Sequence, residues 1–220
     1  GYVMDVFKKS LQEQGIALVR ANDIQFAETP EHATLLTSKQ SMPLEELLIP
    51  FMKLSNNGHG EMLTKEMGKV VAGEGSWTEG LKVIQSVVTG LGVNGQTIRL
   101  RDGSGMSHQN FIPANDLTQL LFEAQQRDWF AALENSLPIA GNPERMVGGT
   151  LSNRMKNSAA QDNARAKTGS LSGVATLSGY VTSADGEPFI FSILIDHHIS
   201  SEVTDIADAL VIALAEHQFH

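Results

Sequence analysis

Lys167, Thr168 and Gly169 stand together in Ala164-Arg-Ala-Lys-Thr-Gly-Ser-Leu-Ser-Gly173, and their types suit recognition of a peptide-like ligand. An ammonium at Lys167 fixes a carboxylate or tunes a neighbouring nucleophile. The Thr168 and Ser170 hydroxyls add donors, and Gly169, lacking a Cβ, lets another backbone lie close against the strand. A peptide adding itself to a sheet edge, bonded through its main chain and clamped at its carboxylate, fits this set. Two other polar clusters carry less. Asp102-Gly-Ser-Gly105 lacks the Gly-Lys-Ser/Thr continuation of a phosphate cradle and reads as a tight turn. His197 and His198 are adjacent, so on a strand they point to opposite faces, and no further ligand pattern joins them. No metal site is expected, and no cofactor.

These residues need elements to hold them. Ala164–Ser170, Gly173–Thr182 and Pro188–Asp196 are strand-like, with Ala184-Asp-Gly186 turning between the last two. Phe189 to Ile195 is almost continuously apolar, which predicts a strand covered on both faces. Val203, Ile206, Ala207, Leu210 and Leu214 form the stripe of a terminal helix able to cover one face. Upstream, Val3, Phe7 and Leu11 predict a helix stopped at Gly15, and Ile16–Val19 and Ala33–Thr37 read as short strands. Pro43 opens a helix with Glu45 and Glu46 in its first turn, and Leu44, Leu47, Leu48 and Phe51 lie along one face. That helix ends at Lys53-Leu54, and Ser55-Asn-Asn-Gly58 reads as a turn into another helix from about Glu61. Ser76-Trp-Thr-Glu79 is a capping box for a helix reaching Gly92. Thr97–Arg101 is a further strand candidate. Helices follow over Pro113–Gln125 and from Asp128 to before Pro138.

Composition sets the bounds. With 220 residues, 41% of them hydrophobic and 19% charged, the chain can bury a full core. A net charge of −9, with no cluster of Lys and Arg to offset it, argues against nucleic acid as partner. No apolar run approaches the ~20 residues of a membrane helix. The absence of Cys removes disulfides and thiolate metal sites.

Several stretches, taken in order, carry a family likeness. They are Leu47-Leu48-Ile-Pro-Phe-Met-Lys-Leu-Ser-Asn-Asn57, Asp102-Gly-Ser-Gly-Met-Ser107, Leu137-Pro-Ile-Ala-Gly141, Gly149-Thr-Leu151, Lys167-Thr-Gly-Ser-Leu-Ser-Gly173 and Leu177-Ser-Gly-Tyr-Val181. On these the chain resembles low-molecular-mass, class C penicillin-binding proteins of the D-alanyl-D-alanine carboxypeptidase/endopeptidase type. The resemblance implies an α+β, β-lactamase/transpeptidase-like fold, an antiparallel sheet flanked by helices. No Ser here is followed at the third position by Lys; Ser10, Ser41, Ser152 and Ser158 are followed there by Glu13, Leu44, Met155 and Gln161. The family's Ser-x-x-Lys nucleophile is therefore expected upstream. Residues 1–220 are then the C-terminal portion of one transpeptidase-like domain, incomplete at its N-terminal side and without a separate second domain. A second departure is Ile112 before Pro113, where the family carries a Ser or Thr helix cap; it should cost about 1 kcal/mol locally.

The resemblance also implies roles. Ser55 would relay a proton to the leaving nitrogen, and Asn57 would bond the acyl donor's amide and hold the upstream Lys. Lys167 would pair with the substrate carboxylate or polarise Ser55, with Thr168 and Ser170 on that same carboxylate. The Ser170 N–H would supply half of an oxyanion hole. The implied substrate is a peptidoglycan stem peptide ending in D-Ala-D-Ala. β-Lactams and the upstream part of the same protein are further partners, in an exported, cell-envelope setting. Without the resemblance, Ser55-Asn-Asn-Gly is an ordinary post-helix turn. A non-catalytic remnant or peptide-binding module, and a β-lactamase or esterase, are the alternative functions, and an upstream Ser-x-x-Lys separates the first of these from an enzyme.

Overall fold

The computed structural model describes residues 2–19, 27–200 and 202–218. The chain divides into two units, Gly1–Ser41 and Met42–His220. In the first, helix α1 spans Tyr2–Glu13 and is followed by a turn at Gly15, where φ is 76°. Neither Ile16–Val19 nor Ala33–Thr37 forms a strand. Strand propensity is realised only with a ladder partner, and among the described residues neither segment has one; Leu35 and Leu36 stand exposed.

The larger unit begins with helix α2 (Leu44–Lys53), for which Pro43 is the residue before the first turn rather than within it. Leu47, Leu48 and Phe51 are half-buried, while Leu44 is exposed. Helix α3 (Asn57–Ala72) starts four residues before the expected Glu61, because the Asn56 side chain accepts from the His59 N–H and caps it. Ser76 caps helix α4 (Trp77–Gly90) through the Glu79 N–H, as its capping box predicts. The strand expected over Thr97–Arg101 reduces to a single bridge between Arg99 and Phe111. Helices α5 (Ala114–Ala124) and α6 (Phe130–Ser136) follow, and Pro113 precedes α5 with no side-chain cap. After a 3₁₀ turn at Gly149–Leu151 come strands β1 (Arg165–Leu171), β2 (Val174–Thr182) and β3 (Pro188–Asp196), then helix α7 (Val203–Glu216).

The strands form one antiparallel meander in the order β1-β2-β3, with Lys167 opposite Ser178 and Gly169 opposite Thr176. Alternation divides them into two faces. Ala166, Leu177, Val181 and Phe191 pack with Val211 and Ala207 of α7, together with Leu151 and Ala164, into the main core. Arg165, Lys167, Ser178 and Tyr180 face the other way, where the Tyr180 hydroxyl donates to the Leu121 carbonyl of α5. Burial, with Glu134 second, pushes the Tyr180 phenol up to about 12, so it remains a donor. Among the described residues β3 pairs on one side only; both α5 and α7 pack against its apolar run, with Phe191 buried and Leu194 left exposed. On α7 the buried stripe is Val203, Ala207, Val211 and Ala215, and Ile206 and Leu210 are exposed. A four-residue step selects that stripe, and the small alanines let the helix approach β2 closely.

Candidate active site

Ser55 follows α2 and its cap Leu54 in a left-handed conformation, with φ at 51°. For a residue with a Cβ this costs on the order of 1–2 kcal/mol, so its surroundings must hold it there. The turn is closed from both sides of Ser55. Its own N–H bonds Met52 O at 3.3 Å, and the Asn56 N–H bonds Phe51 O at 2.9 Å. Asn56 then caps α3, and Asn57 opens that helix with its side chain exposed.

β1 brings Lys167 to the same place. Its ammonium donates to Ser55 Oγ at 2.7 Å and to the Thr168 carbonyl at 2.7 Å. Burial lowers the Lys167 pKa to about 8, so the cation is held but within reach of losing its proton. Because Lys167 is the donor, the Ser55 hydroxyl hydrogen is directed elsewhere. A serine whose oxygen is already bound by a cation can pass its own proton outward and take another back.

The outer edge of β1 offers main-chain groups. Its first residues are covered: Ala166 N–H donates to Pro138 O at 3.0 Å, and Ala140 N–H to Ala164 O at 2.9 Å. Strand alternation directs the N–H groups of Thr168 and Ser170 to that same edge. Among the described residues the main-chain cover ends at Ala166. The Ser170 side chain is exposed, and the Thr168 hydroxyl, on the opposite face from Lys167, donates to Thr150 Oγ1 at 2.9 Å. Thr150, Arg154, Thr168, Gly169 and Ser170 line part of a groove of about 250 Å³. Arg154 is fixed there by Asp208, with Nη2 at 2.6 Å from Oδ1. At Gly169 a Cβ would overlap the Thr176 hydroxyl across the ladder. A side chain at this position would require the Thr176 hydroxyl to turn away.

Asp102-Gly-Ser-Gly105 is the tight turn it resembles. The Asp102 carboxylate accepts from the Gly105 and Ser107 N–H groups at 2.7 Å each. Glu61 of α3 accepts from the Ser104 N–H at 3.0 Å and so holds this turn against α3. Burial raises the Glu61 pKa, but the bonds from Ser104, Trp77 and Gly103 outweigh it and hold the carboxyl below its ordinary value. Among the described residues no cluster of His, Cys, Asp and Glu could hold a metal ion. No helix among them is long and apolar enough to cross a membrane.

Two residues at the site gave no signal of their own in the sequence. Thr150 was legible only within Gly149-Thr-Leu151. Lys53, at the end of α2, is 3% exposed and donates to the Leu137 carbonyl.

The family model for D-Ala-D-Ala carboxypeptidase 3 (S13) matches residues 1–217. A D-alanyl-D-alanine carboxypeptidase of an Actinomadura species is 39% identical over 98% of this chain and 40% of its own length. The carboxypeptidase DacB of Haemophilus influenzae is 30% identical, over 86% of this chain and 39% of its own. The chain therefore spans about 40% of the length of these curated relatives. Crystal structures of penicillin binding protein 4 (dacB) from H. influenzae share the fold. One has a TM-score of 0.84 at 24% identity, covering 98% of this chain and 49% of that one. Another, complexed with a β-lactam, has a TM-score of 0.80 at 29% identity, over 91% of this chain and 45% of that one.

Proposed function

This chain belongs to the D-Ala-D-Ala carboxypeptidase 3 (S13) family, and from that premise we propose that the complete protein is a serine-type D-alanyl-D-alanine carboxypeptidase/endopeptidase. It acts on peptidoglycan stem peptides through an acyl-enzyme, and β-lactams acylate the same nucleophile. The observation that carries this reading is the 2.7 Å hydrogen bond from Lys167 to Ser55.

In this reading the nucleophilic Ser and its Lys come from a Ser-x-x-Lys outside these 220 residues, since none occurs within them. The serine oxygen bonds to the carbonyl of the penultimate D-Ala as the C–N bond to the terminal D-Ala breaks. The serine's proton passes to its Lys, and Ser55 O–H delivers a proton to the leaving nitrogen. Water then hydrolyses the ester. Lys167 holds Ser55 on one face of β1 and attracts the substrate carboxylate, which the Thr168 and Ser170 hydroxyls bond from the other face across the strand's open edge. Asn57 bonds the acyl donor's amide. The Ser170 N–H, directed to the open edge of β1, completes an oxyanion hole with the N–H of the nucleophile. Residues 1–220 act as the C-terminal portion of one transpeptidase-like domain, in an exported protein of the cell envelope.

The test is the full-length protein with fluorescent penicillin and a D-Ala-D-Ala peptide. Expected are one covalent adduct per molecule, mapped by mass spectrometry outside residues 1–220, and release of D-Ala. An adduct on any Ser of residues 1–220 overturns the assignment of the nucleophile. Peptide binding without adduct or D-Ala release makes the protein a binding module.

A further inference from the structure

Lys53 is buried, and among the described residues it has no carboxylate partner. The side-chain acceptor it has is the Leu137 carbonyl, 84 residues along the chain. Burial lowers its pKa to about 8, and the Arg165 guanidinium adds to that. An unpaired buried cation is an expensive way to fill space, and an apolar side chain of similar length would pack there more favourably. The ammonium is thus there for its bond to Leu137.

That bond joins the two halves of the site. Leu137 begins the strip whose next residue, Pro138, accepts from Ala166 N–H, and whose Ala140 N–H donates to Ala164 O. Ala166 immediately precedes Lys167. On the other side, Lys53 lies two residues before Ser55. Its carbonyl is packed by Gly149, where φ is 52° and a Cβ would overlap that oxygen. Gly149 leads into Thr150, whose hydroxyl accepts from Thr168. Lys53 therefore touches, through its ammonium and its carbonyl, two segments that are each bound to β1. Ser55, in its left-handed conformation, needs such external support.

We propose that Lys53 is a positioning residue: its ammonium, bound to the Leu137 carbonyl, holds the Ser55 turn in register with Lys167. Among the described residues its ammonium bonds to neither the Ser55 nor the Lys167 side chain, and it acts through the turn it anchors. Its effect on the proton-transfer step rests on the acyl-transfer reading above.

The full-length protein with Lys53→Met tests this. The limiting acylation rate by fluorescent penicillin should fall by about ten- to a hundredfold, the scale on which small misplacements act, with the initial binding constant unchanged. Lys53→Arg should recover part of the loss. In a Ser55→Ala background Lys53→Met should add less than about a threefold effect, because it acts through that serine. An unchanged rate, or the same loss with and without Ser55, overturns the proposal. If Lys53→Met does not fold, Lys53→Gln is read on the same cycle with the same two outcomes. A wild-type protein that forms no adduct removes the functional reading but leaves the anchoring testable. The Lys167 titration, followed by NMR of ¹³C-labelled lysine, should then move up from about 8 in Lys53→Met as the turn loosens and water enters. An unmoved titration overturns the anchoring itself.

Discussion

Lys167 Nζ donates to Ser55 Oγ at 2.7 Å across 112 residues of sequence. The direction of that bond decides the chemistry open to each partner. Lys167 donates and Ser55 accepts, which leaves the Ser55 hydroxyl hydrogen free to point elsewhere; in the reading proposed above the lysine polarises and the serine relays.

Replacing Lys167 by Ala in the full-length protein should slow acylation by a β-lactam by one to two orders of magnitude or more. Charge-assisted bonds of this kind are worth roughly 1.5–3 kcal/mol each. The fold should persist, since Lys167 is only half-buried and the β1 ladder does not use its side chain. Acylation kinetics and circular dichroism, measured together, check both parts.

Ser55→Ala and Ser55→Gly should both slow acylation and D-Ala release by about 10²–10⁴-fold, the usual range for a general acid–base group. They should differ in stability. At a φ of 51° alanine retains the Cβ strain that glycine relieves, so Ser55→Gly should unfold later, by about 1 kcal/mol. Denaturant midpoints provide that comparison, and equal midpoints would speak against strain at Ser55.

The lysine-rich site also fixes a pH dependence. Burial lowers both Lys167 and Lys53 from an ordinary 10.5 to about 8. Acylation should therefore decline as pH rises through about 8, where Lys167 loses the charge that attracts a carboxylate. Stability from these two groups runs the opposite way. Between about 8 and 10.5 the unfolded chain binds the protons that the folded chain has released, so their contribution rises with pH. Acylation rates and unfolding midpoints across that interval should diverge.

Gly149→Ala should destabilise the protein by about 1–3 kcal/mol. The added Cβ meets the Lys53 carbonyl in a left-handed backbone position, and neither neighbour is a flexible side-chain end. Thermal unfolding reads the loss; an unchanged midpoint would mean that α2 and the 3₁₀ turn separate at little cost.

Lys167-Thr-Gly and Ser55-Asn-Asn were legible through their place in an ordered set of family-like stretches, since Ser55-Asn-Asn-Gly alone reads as an ordinary post-helix turn. Lys53 was not, since nothing in Lys-Leu-Ser-Asn-Asn announces an acceptor at Leu137, and a lysine ending a helix ordinarily faces solvent. The left-handed turn at Ser55 was hidden for a similar reason: serine has no preference for it, and tertiary contacts impose it. Among the elements, β1, β2 and α7 followed from pattern. Ile16–Val19 and Ala33–Thr37 failed because propensity without a ladder partner does not make a strand.

The meander from Arg165 to Asp196 has a consequence for how the molecule assembles. Its turns are short, with left-handed glycines at Gly173 (φ 75°) and Gly186 (φ 91°), so its pairings are nearly all local. Local ladders close at small entropic cost and form early, whereas Ser55 and Lys167 must meet across a loop of more than a hundred residues. The sheet is therefore expected to form early and the reactive pair late. Substitutions at the two turns should slow refolding, and substitutions around Ser55 should mainly hasten unfolding.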